Sequence, residues 1–119
     1  RIGHGHIDQL SEDHSLVQEM VKQGAIKLEN ARAHPKANIL LRALTTNPDC
    51  ELDVYQPVTV KSNDVFLVCS DGLWNMIEDN EIRDIVTNNS AVDAVQYLIQ
   101  RANEFGGKDN IAASIMRII

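Results

Sequence analysis

The apolar run Val65-Phe66-Leu67-Val68-Cys69 delivers the chain directly into Ser70-Asp71-Gly72. An unbroken apolar stretch of this length between turn signals reads as a strand covered on both faces, which commits the chain to a layered architecture. The acid at the end of that strand then poses a problem, because a carboxylate at the mouth of a core is costly unless something pairs with it. No lysine or arginine follows Asp71 until Arg83. A backbone amide, a basic side chain from elsewhere in the fold, or a metal ion can each supply the partner.

With 119 residues, 44% of them apolar and 24% charged, the chain has enough material for one domain, or part of one, with a real core. Its formal charge of -6, without any Lys/Arg cluster, argues against nucleic acid as a partner. Its apolar runs fall far short of the roughly 20 residues that a membrane-spanning helix needs. Cys50 and Cys69 are too few for a disulfide framework and read as reduced thiols, so the protein is expected in the cytoplasm. The opening RIGHGHIDQL reads as the end of one strand, a Gly-rich turn and the next strand. Such a start leaves an open sheet edge, and leads us to expect a fragment of a longer chain.

Further along, Asp13 or Ser15 can cap a short helix that carries Leu16, Val17, Met20 and Val21 on one face and ends at Gly24. LENARAH reads as a second short helix stopping before Pro35, NILLRAL as a strand, and Asn47-Pro48-Asp49 as a turn. ELDVYQPVTV keeps Leu52, Val54, Val58 and Val60 in one period-two register, with Pro57 suggesting an edge strand. Asp79 can cap a helix through Ile82, Ile85 and Val86. Ser90 can cap a longer one from Val92 to Phe105, stopped by Gly106-Gly107 before a last strand in NIAASIMRII. The pattern is α+β, leaning to antiparallel pairing.

Two aspartates occupy matching positions. Asp71 follows the apolar strand and precedes Gly72; Asp109 lies between Gly106-Gly107 and the last strand. A carboxylate at a strand end beside glycine can project into a cleft, and hard cations such as Mg²⁺ or Mn²⁺ are held by one or two carboxylates plus water. Asp-Gly and Asp-Asn are also turn dipeptides, so turn or cap aspartates remain the competing reading. His14 and His34 sit at helix ends, where an imidazole can cover free backbone groups. His4 and His6 have the spacing of a metal pair along a strand, with no third ligand in view. A cysteine phosphatase would need an arginine-ended loop after its cysteine, and CSDGLWN has none.

Taken together and in order, LSEDHSLVQEMVKQGAI, ARAHPKANILLRAL, VFLVCSDGLWNMI and GGKDNIAASIM resemble the C-terminal portion of the metal-dependent protein phosphatases (PPM), the type-2C serine/threonine phosphatases in their bacterial form. The resemblance covers nearly the whole chain. It implies a four-layer αββα sandwich of which residues 1–119 form only the C-terminal part, with a flap-like helical insert at about residues 14–44. It implies a binuclear Mn²⁺ or Mg²⁺ site, two or more ions in the complete domain, with Asp71 and Asp109 as metal ligands and Gly72 and Asn110 beside them. Trp74 is expected to pack in the core.

The implied reaction is hydrolysis of phosphoserine and phosphothreonine in proteins by metal-activated water, without a covalent intermediate on Cys69 or Ser70. Substrates would be phosphoproteins, those of a bacterial serine/threonine kinase, and the N-terminal part of the same domain would be a structural partner. The family's bridging carboxylate, phosphate-binding arginine and histidine acid precede the matching region, so no catalytic residue is assigned here and the chain alone is expected to be inactive. The alternative is a non-catalytic, phosphatase-like regulatory or protein-binding module. Thr45 departs from the family pattern, where glycine is usual; a positive φ there would strain threonine.

Overall fold

The computed structural model describes all residues 1–119. The chain divides into two units: Arg1–Leu10 with Val58–Ile119, and Ser11–Pro57.

The first unit is built on a four-stranded antiparallel sheet. Strands β1 (Ile2–Gly3) and β2 (His6–Ile7) form the expected hairpin. Its two turn residues, His4 and Gly5, have φ of 50° and 80°, the left-handed pair whose twist matches that of the flanking strands. Strand β3 (Val65–Cys69) pairs with β1 on one side and with β4 (Ala113–Arg117) on the other, giving the order β2-β1-β3-β4. The β3–β4 ladder runs in register from Val65 opposite Arg117 to Cys69 opposite Ala113.

Three helices connect β3 to β4: α3 (Asp71–Trp74), α4 (Asp79–Asn88) and α5 (Ala91–Glu104). Ser90 caps α5 as expected, its Oγ accepting from the Asp93 amide at 3.1 Å. The cap of α4 is Glu78 rather than Asp79. Asp79 instead occupies the first turn, where a carboxylate still complements the helix N-terminus. Leu73, Ile77, Ile82, Val86, Ala94, Leu98 and Ala102 join Ile2 and Val65 in one core. Leu73, Val86 and Leu98 are wholly buried. Arg117 closes the end of α4 by donating to the Val86 and Asn89 carbonyls at 2.7 and 2.5 Å. Arg101 Nε donates to Glu81 Oε1 at 2.5 Å, tying α5 to α4.

The sheet corrects one expectation. Leu67, Cys69, Ala113 and Ile115 pack on the helical core, and Trp74 does so too, but Phe66, Val68 and Met116 lie on the opposite face. Val68 is 73% exposed, so VFLVC is covered on one face only: no second layer in this unit reaches the other.

In the second unit, α1 (Leu16–Lys22) starts at Ser15, whose Oγ accepts from the Gln18 amide, and Gly24 follows its C-cap. The short α2 (Leu28–Ala31) follows, and Val17 and Ala31 are buried. NILLRAL does not form a strand. It makes one bridge, Leu40 opposite Ser15, because its partner segment turns at once into α1. ELDVYQPVTV is likewise not a strand: Leu52, Val54, Val58 and Val60 are exposed, since alternation yields a ladder only where a neighbouring backbone completes it. The Asn47 turn is present, its Oδ1 accepting from the Asp49 amide. No helix is long and apolar enough to cross a membrane.

Candidate metal centre

Beyond Cys69 and Ala113 the β3–β4 ladder ends, and segments 70–72 and 109–112 leave it side by side. The Ser70 amide donates to the Ala112 carbonyl at 3.0 Å, extending the pairing by one step. Asp71 then opens α3, which is anchored by the buried Leu73 and by Ile77 just after it. Gly72 lies flat against the opposite segment. A Cβ there would sit 2.2 Å from the Asn110 carbonyl oxygen and 3.4 Å from Asp109 Cβ. Only glycine lets the two aspartate-bearing segments approach this closely.

The two carboxylates are held alike. Asp71 Oδ1 accepts from the Gly72 amide at 2.9 Å, and Asp109 Oδ1 accepts from the Asn110 amide at 2.7 Å. In each the second oxygen has no hydrogen-bond partner, and no Lys, Arg or His pairs with either acid. Of the three partners open to Asp71, a backbone amide is therefore present and a basic side chain is not. No cluster of three or more His, Cys, Asp or Glu side chains surrounds a common point, so the chain itself offers a pair of oxygen donors. The donor chemistry and the close approach at Gly72 fit a hard divalent cation. Asn110 meets its neighbours here through its backbone: its amide donates to Asp109 Oδ1 and its carbonyl accepts from the Ser70 hydroxyl.

Ser70 is the residue that sequence reasoning missed. Its hydroxyl donates to the Asn110 carbonyl at 3.2 Å and accepts from the Ala112 amide at 3.0 Å. Its place before a helical turn suggests a cap, but no side-chain cap bond forms. Nothing in the sequence signals a hydroxyl directed at a segment forty residues away.

The histidines separate from this centre. His4 occupies the hairpin turn, 3.9 Å from the buried carboxylate of Asp64, and does not line up along a strand with His6. His34 Nδ1 accepts from the Lys36 amide, covering a backbone group as expected. His14 does otherwise: its Nε2 lies 2.6 Å from Asp53 Oδ2 and 3.1 Å from Arg42 Nη1, beside an open cavity of about 590 Å³ within the second unit. His14, first, and Arg42 hold the Asp53 carboxyl below its ordinary range. Thr45 stays out of the left-handed region, and its Oγ1 accepts from the Asn47 amide, so the departure from glycine carries no backbone strain.

No family model matches the sequence. Curated relatives do. The serine/threonine phosphatase Stp of Listeria welshimeri is 42% identical over 109 residues, which are 91% of this chain and 43% of that protein. The protein phosphatase PhpP of Streptococcus pneumoniae is 41% identical, over 91% of this chain and 44% of its own length. Among solved structures, the Mycobacterium tuberculosis serine/threonine phosphatase PstP/Ppp superposes with a TM-score of 0.88 at 28% identity, over 98% of this chain and 49% of that one. A PstP catalytic domain in complex with two manganese ions superposes at 0.72 and 27% identity, over 97% and 48%. This chain thus spans a little under half the length of the curated relatives it matches, consistent with a C-terminal part of their domain. By sequence and by fold, the chain matches part of bacterial serine/threonine protein phosphatases of the PPM, or 2C, type.

Proposed function

We propose that the chain forms the C-terminal part of a phosphatase domain that hydrolyses phosphoserine and phosphothreonine in proteins, and that Asp71 and Asp109 are two of its ligands for Mn²⁺ or Mg²⁺. The observation that carries this reading is the approach at Gly72, where a Cβ would lie 2.2 Å from the Asn110 carbonyl. It brings together the segments that carry two carboxylates, each with one oxygen on a backbone amide and the other unengaged. Divalent cations held there would supply Lewis-acid stabilisation of phosphate oxygens and lower the pKa of water. The chain's own residues do the rest by position. Gly72 permits the approach, Leu73 and Ile77 fix α3, and the Asn110 amide orients Asp109.

Neither neighbouring nucleophile is suited to covalent chemistry: Cys69 packs against the core, and the Ser70 hydroxyl is committed as both donor and acceptor. The N-terminal part of the same domain is assigned to the uncovered sheet face of Phe66, Val68 and Met116, and would bring the bridging carboxylate, the phosphate-binding arginine and the histidine acid. The helical insert at about residues 14–44, which lies within the unit Ser11–Pro57, is assigned as the flap. Phosphoproteins made by a bacterial serine/threonine kinase are the substrates in this reading, and the cytoplasm its compartment.

Two experiments test it. Asp71→Asn and Asp109→Asn in the full-length protein should each weaken Mn²⁺ binding and cut turnover steeply at limiting Mn²⁺; turnover within a few-fold of the parent rejects the ligand assignment. Residues 1–119 alone should not hydrolyse a phosphopeptide or p-nitrophenyl phosphate with millimolar Mn²⁺, and EDTA-sensitive activity from them would show that a complete site is already present.

A further inference from the structure

Resting on the assignment of Asp71 and Asp109 as ligands, we propose that Ser70 is a positioning residue: its hydroxyl locks the segment carrying Asp109 against the segment carrying Asp71, and so sets the metal affinity of the pair. Three contacts converge on one side chain and its backbone. The Ser70 amide donates to the Ala112 carbonyl, the Ala112 amide donates back to Ser70 Oγ, and that Oγ donates to the Asn110 carbonyl.

The placement makes this more than the end of a strand. A serine before a helix ordinarily spends its hydroxyl on the amides of the first turn. Here it forgoes α3 and bonds across to the partner segment. It is adjacent to Asp71, and the carbonyl it holds belongs to Asn110, adjacent to Asp109. That same carbonyl is the atom against which Gly72 is packed. The Asn110 carbonyl is therefore fixed from two directions, by glycine contact on one side and by a hydrogen bond on the other. Across the same Cα, the Asn110 amide orients Asp109 Oδ1. A chain of contacts thus runs from the Ser70 hydroxyl through Asn110 to the Asp109 carboxylate. Partners that orient metal ligands in this way typically govern affinity by about 10- to 100-fold.

The test compares Ser70→Ala, Ser70→Thr, Asp71→Asn and Asp109→Asn in the full-length protein. Mn²⁺ dissociation constants are read by calorimetry, and metal-free melting is followed alongside. Ser70→Ala should weaken Mn²⁺ about 10-fold, and Ser70→Thr, which keeps the hydroxyl, should restore most of that loss. Ser70→Ala with parental Mn²⁺ affinity overturns the proposal, whether or not its melting temperature falls, and so does a threonine variant that binds no better than alanine. If the two aspartate variants weaken Mn²⁺ while Ser70→Ala does not, only the positioning role fails. If all four bind as the parent does, the ligand assignment fails and takes this role with it. Should Ser70→Ala not fold, Ser70→Cys, with a weakly bonding thiol of similar shape, takes its place under the same criteria.

Discussion

Gly72→Ala probes the glycine whose added Cβ would meet its neighbour most closely. The added methyl would lie 2.2 Å from the Asn110 carbonyl oxygen and 3.0 Å from its carbon. An ordinary carbon–oxygen contact is about 3.3 Å, so the Asn110 peptide must retreat by roughly 1 Å. Two terms compete. Alanine relieves the conformational cost of glycine in a helical turn, worth about 0.5–1 kcal/mol. Overpacking a filled site costs about 1–3 kcal/mol. The obstacle is backbone, already hydrogen-bonded to Ser70, not the end of a flexible side chain, so the steric term should win. We expect a net loss of about 1–2 kcal/mol in urea denaturation without metal. The retreat also carries Asp109 away from Asp71, and a misplacement of about 1 Å can cost up to about 100-fold at a reacting centre. Mn²⁺ affinity, measured by calorimetry on the full-length variant, should fall at least tenfold by the same reasoning. Parental stability together with parental Mn²⁺ affinity would refute the argument, because the Asn110 segment would then yield freely and could not be what fixes the two acids.

Cys69→Ala should leave metal dependence intact and cost only stability, and Ser70→Ala should still turn over at saturating Mn²⁺; mass spectrometric capture of a phosphoenzyme on either residue would reject direct attack by water. Leu98→Ala, at a wholly buried position on α5, should cost about 2–5 kcal/mol in chemical denaturation, and a cost near zero would contradict the core described. Asp53 titrates lower in the folded chain than its ordinary 3.8, chiefly through His14 and then Arg42. Its contribution is therefore complete above that value and disappears as the pH falls through the folded pKa. Asp53→Asn should flatten this part of the acid-side stability profile, and an unchanged profile would show that the contact contributes nothing.

Elements whose stabilising partners are local were legible in the sequence. Ser15 and Ser90 cap the helices they precede, the Gly5 turn closes its hairpin, and the period of Ala94, Leu98 and Ala102 marks the buried side of α5. Elements that need distant partners were not. The alternation from Leu52 to Val60 is as regular as that of many strands, yet no ladder forms beside it. Val68 looked like core because hydrophobicity alone does not say whether a second layer is within reach. At the candidate site, both aspartates could be picked out by their glycine neighbours. What joins them, the Ser70 hydroxyl and the missing Cβ of Gly72, depends on a register between segments far apart in the chain.

The unit Ser11–Pro57 interrupts the other unit between β2 and β3. Ile2 must therefore find Val65, more than half the chain away, before the sheet has all of its strands. Closing so long a loop is entropically expensive, though the expense grows only slowly with length, and non-local pairings of this kind slow folding. We expect α4 and α5 to assemble with β3 and β4 first and the Arg1–Leu10 hairpin to dock last. Pulsed hydrogen exchange during refolding would show the Ile2 amide protected after that of Leu67, and the reverse order would rule this sequence of events out. The slow loop-length dependence has a second side: the interrupting unit can lengthen, shorten or be exchanged between descendants at small thermodynamic expense, leaving the sheet's register as the inherited part.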